Sequence, residues 1–188
     1  MLMPAILPRY TVDMLAELPD DPYLRYEIID GVLFVTPAAG SAHAELTTRL
    51  VVTFSMRLPQ SVARVAPPGE VRVGERNSLI PDILVYPARF AIGAAWPDIT
   101  DWLLAIEIVS RSSAIYDREH KRRAYLALGV REYWVVDPRA RTVEVWHPGD
   151  AAAAIHRDTV SYRTPGGEFD VPVDLSALFR EIPSFEDE

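Results

Sequence analysis

The run Trp102-Leu103-Leu104-Ala105-Ile106-Glu107-Ile108-Val109-Ser110 constrains this chain more than any other stretch. It is apolar almost throughout and short, and it reads as a buried strand. One carboxylate, Glu107, sits in its middle. A lone charge in such a strand is costly unless something pairs with it, and the partners available in principle are a cation of the protein, a metal ion or a proton. Two residues elsewhere answer that need. Asp82, preceded by Pro81, offers a second carboxylate, and Lys121 on the next helix offers a cation.

The chain's 188 residues suffice for one full core and are short for two. Residues 1–188 therefore read as a single domain, with a core at about 10–148 and a C-terminal extension at about 149–188. After Thr11 a short helical stretch runs towards Pro19 as a lid or brace. Two apolar runs, 25–29 and 32–36, flank Asp30-Gly31, which is a hairpin signal because both central residues of a type I′ turn need positive φ. Ser41 is placed to cap a helix running to about Leu58, on which Leu46, Leu50 and Phe54 recur at helical spacing and His43 shares their face. Residues 70–75 alternate like a strand, and 79–86 form another, entered by Pro81 at its edge. Beyond a loop at 87–101 come the strand at 103–109 and a helix at 116–128 that Gly129 ends. Residues 132–136 and 142–146 make a second hairpin, followed by strands near 155–163 and a short helix around 175–180. Strands before and after a central pair of helices predict an α/β or α+β fold, a mixed sheet flanked by helices with hairpins at its periphery.

Composition narrows the chemistry. The chain has no cysteine, so disulfides and thiolate metal sites are excluded, and any metal must be held by carboxylate, imidazole or carbonyl groups. A formal charge of -8 weighs against non-specific adhesion to nucleic acid. Positive charge is nevertheless concentrated at Arg118, His120, Lys121, Arg122 and Arg123, while Glu186, Asp187 and Glu188 add negative charge to what is expected to be a mobile tail. No apolar stretch approaches the roughly 18 to 20 residues needed to span a bilayer, and no basic-then-apolar leader opens the chain, so a cytoplasmic location is expected.

Helical phase separates the charges around Lys121. Asp117, Lys121, Ala124, Tyr125 and Leu128 fall at spacings of three and four on one stripe, which turns Lys121 inward while Arg118, Arg122 and Arg123 lie off it. An inward lysine beside the sheet that carries Glu107 is the counter-ion a buried acidic site needs. Taken singly, Asp82 reads equally as a turn cap after proline, Glu107 as a member of a structural ion pair, and His43 as a satisfied core or capping group. Taken together, two carboxylates from adjacent strands suit Mg²⁺, which takes one or two protein carboxylates, several waters and substrate phosphate oxygens. Such a metal polarises a phosphoryl group and acidifies a bound water, with lysine orienting that water or stabilising developing charge. The reaction class this points to is phosphodiester hydrolysis.

These residues also carry a resemblance. Pro81-Asp82 followed by Glu107 in an apolar strand resembles the PD-(D/E)XK nuclease superfamily, and the chain is similar to one branch of it, the Uma-two family of restriction-endonuclease-like proteins. The matching strings are Tyr26 to Gly31, His43, Pro81-Asp82, Glu107 to Ser110, Asp117 to Lys121, and Gly129-Val130-Arg131-Glu132-Tyr133-Trp134-Val135-Val136-Asp137-Pro138. The last string is the most specific. The resemblance implies a restriction-endonuclease-like fold acting on DNA, with Asp82 and Glu107 as ligands of Mg²⁺ or Mn²⁺ and Lys121 as the catalytic lysine. Glu27 and Asp117 take supporting carboxylate roles, and His43 a weaker role in the substrate or metal shell. One departure stands out: the superfamily places lysine two residues after the acid, where this chain has Val109, and the following helix supplies Lys121 instead. Folds of this kind often dimerise to cut both strands, so a homodimer is a further expectation. Two other readings compete, a catalytically silent module that binds nucleic acid or protein, and a hydrolase of small phosphorylated molecules.

Overall fold

A computed structural model of the chain describes residues 9–93, 99–110 and 113–183; the acidic residues 186–188 lie outside them. A 3-10 turn at Val12–Glu17 leads into the antiparallel hairpin β1 (Leu24–Ile29) and β2 (Val32–Pro37). Asp30 and Gly31 both have positive φ, 50° and 81°, as the Asp-Gly turn predicts. Helix α1 (Ser41–Arg57) follows and buries Leu46, Leu50 and Phe54. Its cap is Gly40, not Ser41, which lies inside the first turn.

Between α1 and the second helix the chain builds half of each of two sheets. Strands β3 (Ala63–Ala66), β4 (Val71–Arg72), β5 (Ser78–Leu79), β6 (Ile83–Pro87) and β7 (Leu104–Ile108) come in that order. The alternating stretch at 70–75 is a strand only over its first part, because the chain turns at Gly74, whose φ is 62°. The single strand expected at 79–86 is two. Pro81 has no N–H for a ladder, and at Pro81-Asp82 the chain leaves the β1 sheet, where β5 pairs, for the central sheet, where β6 pairs.

After β7 a π-type turn, Tyr116–Lys121, runs into α2 (Arg122–Ala127), so the expected helix is present with a wider first turn. Gly129 ends it with a φ of 96°. The hairpin β8 (Glu132–Asp137) and β9 (Thr142–Trp146) follows, then β10 (Ala154–His156), β11 (Thr159–Arg163), β12 (Asp170–Asp174) and the short helix α3 (Leu175–Leu178).

The central sheet has the order β10-β9-β8-β7-β6-β3, and β7 and β8 are its parallel pair. Alternation along β7 divides the core. Leu104, Ile106 and Ile108 face α1 and the β11–β12 hairpin, where Phe54 packs 5.6 Å from the Trp134 ring and 5.9 Å from that of Tyr162. Ala105 and Val109 face α2 with Tyr125 and Tyr133. Both faces of β7 are therefore covered, which explains why its run is apolar apart from Glu107. Glu107 lies on the α2 side, in phase with Ala105 and Val109.

Candidate functional site

The site is assembled at the end of β7. The register that pairs Ile83 with Ile106 continues by one step to set Asp82 beside Glu107, and the Ile108 backbone N–H donates to Asp82 Oδ2 at 2.9 Å. From the hairpin, β1 brings Glu27, which is held by the Ile80 N–H at 2.7 Å. The π-type turn points Asp117 and Lys121 inward together. Lys121 Nζ lies 2.9 Å from Glu27 Oε2, 3.1 Å from Glu107 Oε1 and 3.7 Å from Asp117 Oδ1. The Tyr125 hydroxyl donates to the same Glu107 oxygen at 3.0 Å. From α1, His43 Nε2 stands 2.9 Å from Asp82 Oδ1, which also accepts from Arg25 at 3.2 Å. All these side chains except Tyr125 line one cavity of about 620 Å³.

Every residue that the sequence nominated is therefore in one place: Asp82, Glu107, Lys121, Glu27, His43 and Asp117. Arg25, Tyr116 and the hydroxyl of Tyr125 were not foreseen. A signal existed for two of them. Arg25 is two residues from Glu27 on the same strand, and so on the same face, while Tyr125 is one helical turn after Lys121.

Charge in the cavity is unbalanced. Glu27, Asp82, Glu107 and Asp117 are all buried, and Lys121 is the one buried lysine or arginine among the described residues. Burial pushes the Glu107 carboxyl well above its usual range, with Lys121 opposing and the charges of Asp82, Asp117 and Glu27 adding to the rise. Burial likewise lifts Asp117 to about 6 against the pull of Lys121 and a hydrogen bond from Ser113. Asp82 shows the opposite outcome: burial would raise it, but His43, Lys121 and the Ile108 N–H outweigh that and hold it low. Lys121 is desolvated too, yet Glu107, Glu27 and Asp117 keep it firmly protonated.

A family model described as "Uma2: Putative restriction endonuclease" matches residues 12–179. The chain belongs to this family. A crystal structure from Anabaena variabilis ATCC 29413, described as a putative nuclease belonging to DUF820, superposes on the Uma2 chain with a TM-score of 0.73. The two are 20% identical over 90% of this chain and 97% of that one, a likeness that establishes the restriction-endonuclease-like fold. No curated protein matches the chain. Among the described residues no helix is long and apolar enough to cross a membrane.

The Uma2 cavity suits a hard divalent cation by its donor chemistry. Its buried carboxylates outnumber its buried cation, and such oxygens are the ligands Mg²⁺ and Mn²⁺ take. Among the described residues no three His, Asp or Glu side chains are grouped as a ready-made metal cage. Mg²⁺ needs no such cage, since it binds through one or two protein carboxylates and keeps several waters.

Proposed function

We propose that this Uma2 protein is a Mg²⁺-dependent endonuclease, also served by Mn²⁺, that hydrolyses phosphodiester bonds in DNA. The observation that supports this best is the convergence of Asp82, Glu107 and Lys121 in one cavity with an excess of buried negative charge. Asp82 and Glu107 would hold the metal. Bound there, the ion supplies a Lewis acid for a phosphoryl oxygen and an acidified water.

The chain's own groups have separable tasks. Lys121, kept protonated, places a positive charge where negative charge develops as a phosphodiester is attacked. Glu27 and Asp117 anchor that ammonium, and Tyr125 and Lys121 fix the orientation of Glu107 through one oxygen. His43 at Oδ1 and the Ile108 N–H at Oδ2 fix Asp82 through both of its oxygens.

Plasmid nicking with Mg²⁺ or Mn²⁺ tests this reading, with Asp82→Asn and Glu107→Gln as the informative variants. Each should lower cleavage by about a hundredfold or more, the scale expected when a charge-stabilising group is removed. Wild-type rates in both would reject the assigned site. A second reading, a catalytically silent binding module, draws on one observation: Glu107 Oε1 is already engaged by both Lys121 and Tyr125. Calorimetry with Mn²⁺ separates the two, because a silent module of this kind would take up no metal at millimolar concentration.

A further inference from the structure

The cavity that buries the carboxylates is lined by hydrogen-bond donors as well. Gly40 and His43, at the start of α1, line it together with Arg25 and Tyr116. Helix α1 is 17 residues long, and it starts with no side-chain cap and no acidic residue in its first turn. The leading N–H groups of a helix have no acceptor within the helix, and the helix dipole adds positive potential at that end.

Tyr116 is an independent sign of a missing ligand. It is 8% exposed, and among the described residues its hydroxyl has no hydrogen-bond partner. Buried hydroxyls are rarely left so. The ring is held in place, with Phe34 at 4.3 Å and the Lys121 ammonium 5.3 Å from its centroid. Burial raises the phenol's pKa, so the hydroxyl keeps its proton and remains a donor. Arg25 completes the set. Its side chain is 28% exposed, and among the described residues only Nη1 is engaged, on Asp82, leaving further guanidinium donors for a ligand.

We propose that Arg25, the Tyr116 hydroxyl and the open N-terminus of α1 form an anion subsite for a phosphate of the substrate, adjoining the carboxylates assigned to the metal through the contact of Arg25 with Asp82. The buried acids repel an anion, while these donors on the wall of the same cavity attract it. Naming a nucleic-acid phosphodiester as the occupant rests on the nuclease reading; the subsite itself rests on the donors.

The test uses ¹⁵N-labelled full-length protein without metal, titrated first with inorganic phosphate and then with the dinucleotide dTpdT. Saturable shifts are expected at the Ser41, Ala42 and His43 amides. Gly40→Asp puts a carboxylate at the cap, where φ is -77° and any residue fits, and should weaken binding about tenfold. Arg25→Met should cost about tenfold as well, through lost charge-assisted hydrogen bonds. Unmoved amides in the wild type, or unchanged affinity in both variants, would overturn the subsite. Tighter binding of inorganic phosphate than of dTpdT would overturn the phosphodiester as its occupant. Because no metal or cleavage enters, amide shifts without plasmid nicking would sink the nuclease reading alone, and nicking without shifts would sink the subsite alone.

Discussion

Lys121 Nζ bridges Glu27 Oε2 at 2.9 Å and Glu107 Oε1 at 3.1 Å, so one ammonium ties the β1 hairpin to the central strand of the other sheet. All three groups are 5% exposed or less. Removing one partner of such a cluster leaves buried charge uncompensated, which costs about 3–5 kcal/mol. Lys121→Met should lose stability of that order in urea at pH 8. A loss below about 1 kcal/mol would mean that the carboxylates find another counter-charge.

Asp117 sets a pH dependence whose sign is unusual for a carboxylate. Its pKa is raised from 3.8 to about 6, so between those values the folded chain binds more protons than the unfolded one. Its contribution to stability is present at low pH and is lost as pH rises through that window. Asp82, held low, acts in the opposite sense, losing its contribution as pH falls. Asp117→Asn should therefore gain on the wild type between pH 4.5 and 8, by about 2 kcal/mol. Urea midpoints at the two pH values measure this, and a wild type that gains on the variant would refute it.

Much of the site was legible because its signals are local. Asp30-Gly31 demanded positive φ, Glu107 broke an apolar run, and the spacing of Asp117, Lys121 and Tyr125 placed all three on one face. What escaped depended on pairing between distant segments. Nothing local to residues 79–86 says that Ser78–Leu79 and Ile83–Pro87 join different sheets. The strands Ala63–Ala66 and Asp170–Asp174 are short, and Pro172 interrupts the donors of the latter, yet partners in β6 and β11 stabilise both. Arg25 is an intermediate case: its strand face follows from Glu27 two residues on, but its partner Asp82 lies 57 residues away.

Arg118 links the same π-type turn to the second hairpin from outside the cavity. Its guanidinium bonds Asp137 at 2.6 Å and Glu144 at 2.7 Å, and its side chain is 30% exposed. A partly screened network of this size is worth about 1 kcal/mol. Arg118→Met should lower the urea midpoint accordingly while leaving Mn²⁺ affinity within about twofold, since none of the carboxylates in the cavity contacts it. A large loss of metal binding in a folded variant would show that the hairpin controls how the turn presents Asp117 and Lys121.

Tyr125 gives the sharpest test of how Glu107 is positioned. The tyrosine is fully buried, its ring stacks on Tyr133 at 5.4 Å, and its hydroxyl donates to Glu107 Oε1 at 3.0 Å. Tyr133 in turn donates to the Asp117 backbone carbonyl at 2.9 Å, so the aromatic pair braces both the strand and the turn. Tyr125→Phe keeps the stacking and removes one donor from a buried carboxylate. Stability should fall by about 1–2 kcal/mol, because Glu107 loses a hydrogen bond without losing its burial. Mn²⁺ affinity should drop about tenfold, the lower end of what misorienting a metal-binding carboxylate costs. Tyr133→Phe is the comparison: it loosens the turn but leaves Glu107 with both its partners. If calorimetry gave the two variants the same Mn²⁺ affinity, orientation of Glu107 by Tyr125 would be ruled out.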